Sequence, residues 1–360
     1  MSDYKKIFTN VNYLYKHFLK AVSNSKWKEK TQRSEKHFLS IIFDLQNELE
    51  QETYELGPEE RFITYERGKL RKIASIDPRD RTVMHLLSDN IYTPKIKEKI
   101  IYDNGASVPG RGITFSRKRF EAHLRKYYMK HGSNKGFILF GDFRKFYEHI
   151  DHDIAKEQLL ELVGNDKFIK YLEDRIFDSF SDGVSIGNQH SQTIGIYYPH
   201  EIDNYVKIVR SQKYYGRYMD DWYIISDSKE ELLDVLEGIR SICEKLKLEL
   251  NENKTRIIPL DSKFTYLQIK YQLTETGRVI KRINPKRVTA MRRKLKKLKA
   301  KMLNGENITI DYIESTYKSW MGAYYKLLSR EQRLNMISLY EELFDAKITI
   351  IKNKMVITYC

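Results

Sequence analysis

Residues 214–226 read YYGRYMDDWYIIS, two apolar runs around a pair of acids, and residues 136–142 read GFILFGD, an apolar run that ends in a third acid. Short runs rich in aromatic and β-branched residues, bounded by Gly or polar residues, predict buried strands. The first stretch is therefore expected to form an antiparallel hairpin with Asp220 and Asp221 at its bend, and the second a strand ending in Asp142. Each is followed by helical spacing, over residues 229–246 and 153–162 respectively. Strands alternating with helices, one pair of them antiparallel, argue for an α+β layer and against a doubly wound parallel sheet.

Upstream, residues 11–50 place Leu14, Phe18, Val22, Phe38, Ile41, Ile42, Leu45 and Leu49 at helical spacing. Two alternating segments, residues 62–65 and 70–76, are joined by the basic hairpin tip Arg67-Gly68-Lys69. A helix over residues 79–93 is expected to stop before Pro94. Residues 107–112 read as a glycine-rich loop and residues 116–130 as a helix. Beyond Tyr271 the chain turns helical and basic.

The 360 residues suit one large domain or two ordinary ones, and 64 Lys and Arg against 49 Asp and Glu leave a net charge of +15. That surplus favours a polyanionic partner, either nucleic acid or an anionic membrane surface. A hydrophobic fraction of 41% can build a core. Two cysteines, Cys243 and Cys360, exclude a disulfide framework and a four-thiolate zinc site and suit a reducing cytosol. The apolar stretch over residues 348–359 is interrupted by Lys352 and Lys354, short of the roughly 20 residues a membrane helix needs. The start, MSDYKKIF, lacks the apolar region of a secretory signal. A soluble, cytoplasmic protein is expected. The 26 tyrosines are attributed to base composition rather than to chemistry.

A single acid at a strand end needs no chemical explanation. Three acids at the ends of neighbouring apolar strands repel one another, and a cation offsets that cost. Oxygen-only ligands favour Mg²⁺, which keeps coordination positions for phosphate oxygens. Two such ions would activate a hydroxyl and stabilise a leaving pyrophosphate, the chemistry of nucleotidyl transfer.

Tyr218-Met219-Asp220-Asp221 resembles the Tyr-x-Asp-Asp motif of reverse transcriptases, and Asp142-Phe143-Arg144-Lys145-Phe146-Tyr147 resembles their first palm motif. Leu70-Arg71-Lys72-Ile73 and Pro78-Arg79-Asp80-Arg81 resemble the fingers motifs, and Gly110-Arg111-Gly112 the loop after them. Ile186-Gly187-Asn188-Gln189-His190-Ser191-Gln192 is similar to the motif between the catalytic segments. Asn251-Glu252-Asn253-Lys254-Thr255 and Phe264-Thr265-Tyr266-Leu267 are similar to the later palm motifs, and Ser319-Trp320-Met321-Gly322 to a thumb helix of bacterial members. The resemblance spans roughly residues 61–344.

It implies a right-hand polymerase. N-terminal helices and fingers would occupy residues 1–135 and the palm 136–271, with a fingers part near 156–187. The thumb would cover 272–345 and a C-terminal tail 346–360. The resemblance implies that Asp142 and Asp220 ligate two Mg²⁺ ions, Mn²⁺ being able to substitute, with Asp221 a weaker ligand and the Phe143 backbone nearby. Lys69 and Arg71 would grip the triphosphate, where a guanidinium fork suits phosphate oxygens. Tyr147 would exclude a ribose 2′-hydroxyl, and Lys254 would protonate pyrophosphate. Ile186, Gly187 and Gln192 would face the incoming nucleotide. Ser191, Arg111, Tyr266, Leu267 and Trp320 would contact nucleic acid.

Two segments depart from the retroviral pattern. Ile186 replaces a glutamine, and the ending Ser191-Gln192 resembles reverse transcriptases of diversity-generating retroelements and antiphage-defence relatives. Gln268 stands where the primer-grip segment usually carries glycine. Too few cysteines and no His-Asn-His-like cluster argue against an appended endonuclease, and no separate RNase H domain is expected.

Between Lys286 and Lys301 nine residues are basic and none acidic, with Val288, Met291, Leu295, Leu298 and Met302 at helical spacing. Arg292, Arg293, Lys296 and Lys297 are thus expected on a thumb face along a primer–template backbone rather than on a membrane surface. The expected activity is RNA-directed DNA synthesis from dNTPs on an RNA template with a DNA or RNA primer, in a diversity-generating retroelement. An antiphage enzyme with a dedicated noncoding RNA and a catalytically silent RNA-binding scaffold are the alternatives. The resemblance leaves open a small accessory protein and a homo- or hetero-oligomer, in a bacterial or phage-encoded setting.

Overall fold

The strands begin with an antiparallel hairpin, Glu60–Glu66 (β1) and Lys69–Ser75 (β2). The two apolar runs then form three strands of a four-stranded antiparallel sheet made of Phe137–Asp142 (β3), Tyr214–Tyr218 (β4), Asp221–Ser226 (β5) and Arg256–Pro259 (β6), in the order β4-β5-β3-β6. Ile138, Leu139, Ile224 and Ile225 are buried, as expected for strands covered on both faces. The computed structural model describes residues 2–66, 69–351 and 354–359. The expected hairpin tip Arg67-Gly68 lies outside them.

Two units divide the chain: residues 1–127 with 136–259, and residues 128–135 with 260–360. In the first unit, helices pack on the sheet by their apolar stripes. The helix Lys229–Lys245 starts at Ser228, whose hydroxyl accepts from the Glu231 amide, and buries Leu232, Val235, Leu236, Ile239 and Cys243. Burial pushes the Cys243 thiol up to about 12, so it acts as a small apolar residue.

The long helical stretch expected over residues 11–50 is three helices, Val11–Ser23, Glu29–Lys36 and Phe38–Gln51. The helix expected to stop before Pro94 instead runs Pro78–Leu86, widens into a π-helical turn at Leu87–Tyr92, and restarts as Thr93–Lys99 with Pro94 in its first turn. Proline is tolerated there because first-turn amides have no intrahelical partner.

The second unit holds a three-stranded antiparallel sheet, Phe264–Tyr266 (β7), Ile269–Leu273 (β8) and Val279–Ile283 (β9). The helices Pro285–Leu303, Ile310–Tyr324 and Arg330–Phe344 follow. Met291, Leu295, Ile313, Tyr317, Met336 and Tyr340 make their core. Residues expected as a C-terminal tail form a hairpin, Ala346–Ile351 (β10) and Lys354–Tyr359 (β11), whose Ile348, Met355 and Ile357 pack on that core. No described helix is long and apolar enough to cross a membrane.

Candidate active site

Pairing of Tyr218 with Asp221 leaves Met219-Asp220 as a two-residue turn, so Asp220 sits at the bend while Asp221 opens β5. Met219 takes φ 54°, the conformation that two-residue hairpin turns demand. The turn is held from below by Arg217, which is 0% exposed. Its guanidinium donates to the Met219 carbonyl (3.1 Å), the Ile196 carbonyl (2.8 Å) and both oxygens of buried Asp203 (2.8 and 2.7 Å). The Phe143 amide donates to the Asp220 carbonyl (3.3 Å), tying the turn to the end of β3.

Asp142 pairs across the sheet with Asp221. Residues after Leu250 fold back on it: the Asn251 amide donates to the Asp142 carbonyl (2.8 Å), the Asn251 side chain to Oδ1 (2.9 Å), and Lys254 Nζ to Oδ2 (2.5 Å). Burial and the Asp142 charge raise the Asp220 pKa, and burial with Asp220 and Asp142 pushes Asp221 up to about 7. Burial works to lower the Lys254 pKa, but its bond to Asp142 and the neighbouring carboxylates outweigh that and raise it. Among the described residues Lys254 faces all three acids and Arg71 acts on Asp220, and the negative charge left over suits an oxygen-coordinated dication. The described residues contain no cluster of three or more His, Cys, Asp or Glu side chains able to hold an ion. A Mg²⁺ ion here would depend on phosphate oxygens and water for its remaining ligands.

Around the carboxylates, Tyr147 donates its hydroxyl to Met219 Sδ (3.7 Å), and burial pushes its pKa up to about 12. Arg71 is exposed on β2, and its charge acts to lower the Asp220 pKa. The Lys69 side chain lies outside the described residues. Ile186 is half-buried and its carbonyl accepts from the Ala74 amide (3.0 Å), bringing β2 against the loop before the helix Gln189–Tyr197. Gly187, at φ 130°, is required there: a Cβ would stand 2.5 Å from the Ala74 carbonyl oxygen. Gln192 is exposed and accepts from the Ser107 hydroxyl (3.2 Å), whereas Ser191 is buried.

A cleft of about 350 Å³ adjoins these residues, lined by Arg81, His85, Ser107, Gly187, Asn188 and Gln192. Desolvation lowers the His85 pKa to about 4, so the cleft presents a neutral imidazole. Sequence reasoning missed Arg81, His85 and Asn188. Arg81 and Asn188 stood inside motifs read for other residues, and His85 carried no local signal. Arg111 is engaged internally: its guanidinium donates to the Ile101 and Asn104 carbonyls (3.3 and 2.9 Å) and lies over Tyr102 and Phe115.

The remaining expected contacts belong to the second unit. Tyr266 is buried, and Leu267-Gln268 form the turn between β7 and β8, at φ 41° and 74°. Arg292, Arg293, Lys296 and Lys297 are exposed on the helix Pro285–Leu303, opposite its buried Met291, Leu295 and Leu298. Trp320 is half-buried against the helical core, 5.5 Å from the Tyr324 ring.

Residues 59–271 match the family model described as reverse transcriptase (RNA-dependent DNA polymerase). No curated protein sequence matches the chain. Among solved structures it is similar to telomerase from Candida albicans in complex with a TWJ fragment of telomeric RNA, at 10% identity over 82% of this chain and 60% of that one, with a TM-score of 0.51. The corresponding Candida tropicalis complex matches at 12% identity over 80% and 59%, also with 0.51. Apo Candida tropicalis telomerase truncated of its C-terminal domain matches at 14% over 62% and 55%, with 0.50. The chain thus spans between 55% and 60% of the length of these structures. At such identities the likeness is one of fold, that of a polymerase with fingers, palm and thumb.

Proposed function

Because the chain belongs to the reverse transcriptase (RNA-dependent DNA polymerase) family, we propose that it extends a DNA or RNA primer on an RNA template with dNTPs. The observation that carries this reading is the convergence of Asp142, Asp220 and Asp221 at one sheet end beside Lys254. Asp142, Asp220 and the Phe143 carbonyl would hold Mg²⁺, with Asp221 a weaker partner. When bound, the metal supplies charge neutralisation at the transferring phosphoryl group. The chain's own residues do the rest. Arg71, with Lys69, orients the triphosphate; Tyr147 presents its ring to the sugar; Lys254 holds a proton beside the leaving pyrophosphate. Primer extension on an RNA template tests it. Asp220→Asn should lower Mg²⁺-dependent dNTP incorporation on the order of 10³-fold. Unchanged incorporation would leave an RNA-binding scaffold as the better reading.

For the biological role we propose a diversity-generating retroelement enzyme, bacterial or phage-encoded, with a template RNA and a small accessory protein. Ile186 supports this, because an apolar side chain cannot give the incoming nucleotide the polar contact a glutamine would, and lower fidelity follows. Sequencing cDNA made in cells checks it: adenine-specific errors are expected. A repetitive or phage-triggered product would instead indicate the antiphage role with a dedicated noncoding RNA.

A further inference from the structure

Tyr147 is clamped by elements from three parts of the chain. Its ring lies edge-on to Phe146 (centroids 5.4 Å, 64°), and Phe146 stacks on Phe143 (5.5 Å, 27°) beside Asp142. The hydroxyl donates to Met219, the residue before Asp220. The third contact is with Gly195, in the helix Gln189–Tyr197. A Cβ at Gly195 would stand 3.2 Å from the Tyr147 hydroxyl oxygen, 3.3 Å from Tyr147 Cε1 and 3.3 Å from Phe146 Cε1. Those distances are shorter than ordinary carbon contacts, so the rings could accommodate a side chain only by moving a few tenths of an ångström. Phe146 is 3% exposed and backed by Phe143, which leaves Tyr147 as the ring that yields.

We propose that Gly195 is a specificity-determining positioning residue: its missing side chain lets the Tyr147 ring sit back, and so sets how much room the site leaves beside the 2′ carbon of the incoming nucleotide. The inference rests on the reading of Tyr147 as the sugar-facing aromatic. On this account Gly195 makes the sugar check looser than the aromatic alone would be, and a small side chain at 195 tightens it. The backbone conformation does not demand glycine here; only the two rings crowd the position. The position is helical with no positive φ, and alanine is the better helix former.

The test is the ratio of dNTP to rNTP incorporation efficiency, measured on one RNA template–primer for the wild type, Gly195→Ala, Gly195→Ser, Tyr147→Ala and the Tyr147→Ala/Gly195→Ala double variant. Gly195→Ala should raise the ratio about three- to tenfold, the effect expected of a shift of a few tenths of an ångström. Gly195→Ser should do at least as much. Tyr147→Ala should lower the ratio, and in its background the alanine at 195 should have no further effect. An unchanged ratio in both position-195 variants overturns the proposal. So does an equal loss with both sugars, or the same change with and without Tyr147. If Tyr147→Ala itself leaves the ratio unaltered, the reading of Tyr147 fails first, a result separate from failure at Gly195 alone.

Discussion

Lys254 is the residue on which the charge balance of the site turns. It bridges to Asp142 while three carboxylates act on it, yet its side chain is 48% exposed, so little folding energy depends on it. Lys254→Ala should therefore lower the single-turnover rate about 10²-fold while leaving the dNTP KM and the thermal midpoint nearly unchanged. Equal loss in kcat and binding would place the lysine in substrate capture. Gln268 offers a backbone test. At φ 74° after Leu267 at 41°, it occupies a conformation glycine takes without cost. Gln268→Val should destabilise by about 1–2 kcal/mol, and Gln268→Gly should be neutral or stabilising, in urea denaturation. The three acids were legible because they fall together at the ends of neighbouring apolar strands, within a run of motifs whose order and spacing resemble one family. Gly195 was not, because a lone glycine in a helical stretch carries no sign of what will pack against it.

Among elements, the strand β4 shows why reading by alternation falls short. Arg217 looks like a solvent-facing residue between apolar neighbours, but it is wholly buried and its partner Asp203 lies on a preceding helical segment. No local pattern marks a pair that forms only when the segments meet. Burial works against the Arg217 charge and Asp203 more than restores it. Asp203→Asn should cost roughly 3–5 kcal/mol by leaving a buried guanidinium uncompensated, and should depress incorporation by releasing the Met219 turn. Thermal melts alongside primer extension check both. The other side of β4 is fastened by residues 103–105, through the Arg217 amide to the Asp103 carbonyl (3.2 Å) and the Gly105 amide to the Arg217 carbonyl (3.1 Å). Burial opposes ionisation of Asp103, but bonds from His123 and Arg119 prevail and hold its pKa well below the usual carboxylate range. A depressed folded pKa adds stability that is fully present above the unfolded value near 4 and is lost as pH falls below it. Asp103→Asn should therefore melt well below the wild type at pH 7, and the gap should narrow progressively below about pH 4.

Across the whole molecule the charge is uneven: residues 271–360 hold 19 basic and 8 acidic residues, a surplus of 11 out of the net +15. That asymmetry, and the helix that carries most of it, could be read directly from spacing. The division between units could not. It falls at residue 260, because β7 pairs with β8 and β8 with β9, a small sheet that belongs with the helices that follow it. Pairing partners of that kind are set by register, which alternation over three to five residues underdetermines. The exposed Arg292, Arg293, Lys296 and Lys297 sit on a helix whose opposite face is pinned by Met291, Leu295 and Leu298, so they can be neutralised without disturbing the core. If this face grips a nucleic-acid backbone, each contact releases condensed counterions, and the slope of log K against log salt steepens by about 0.9 per phosphate neutralised on a duplex. Replacing all four by glutamine should flatten that slope by roughly 2–4 for a primer–template duplex, weaken binding alike for unrelated sequences, and leave the thermal midpoint within about 2 °C of the wild type. A slope unchanged by all four substitutions would assign the basic surplus to solvation and move the duplex contact elsewhere on the chain.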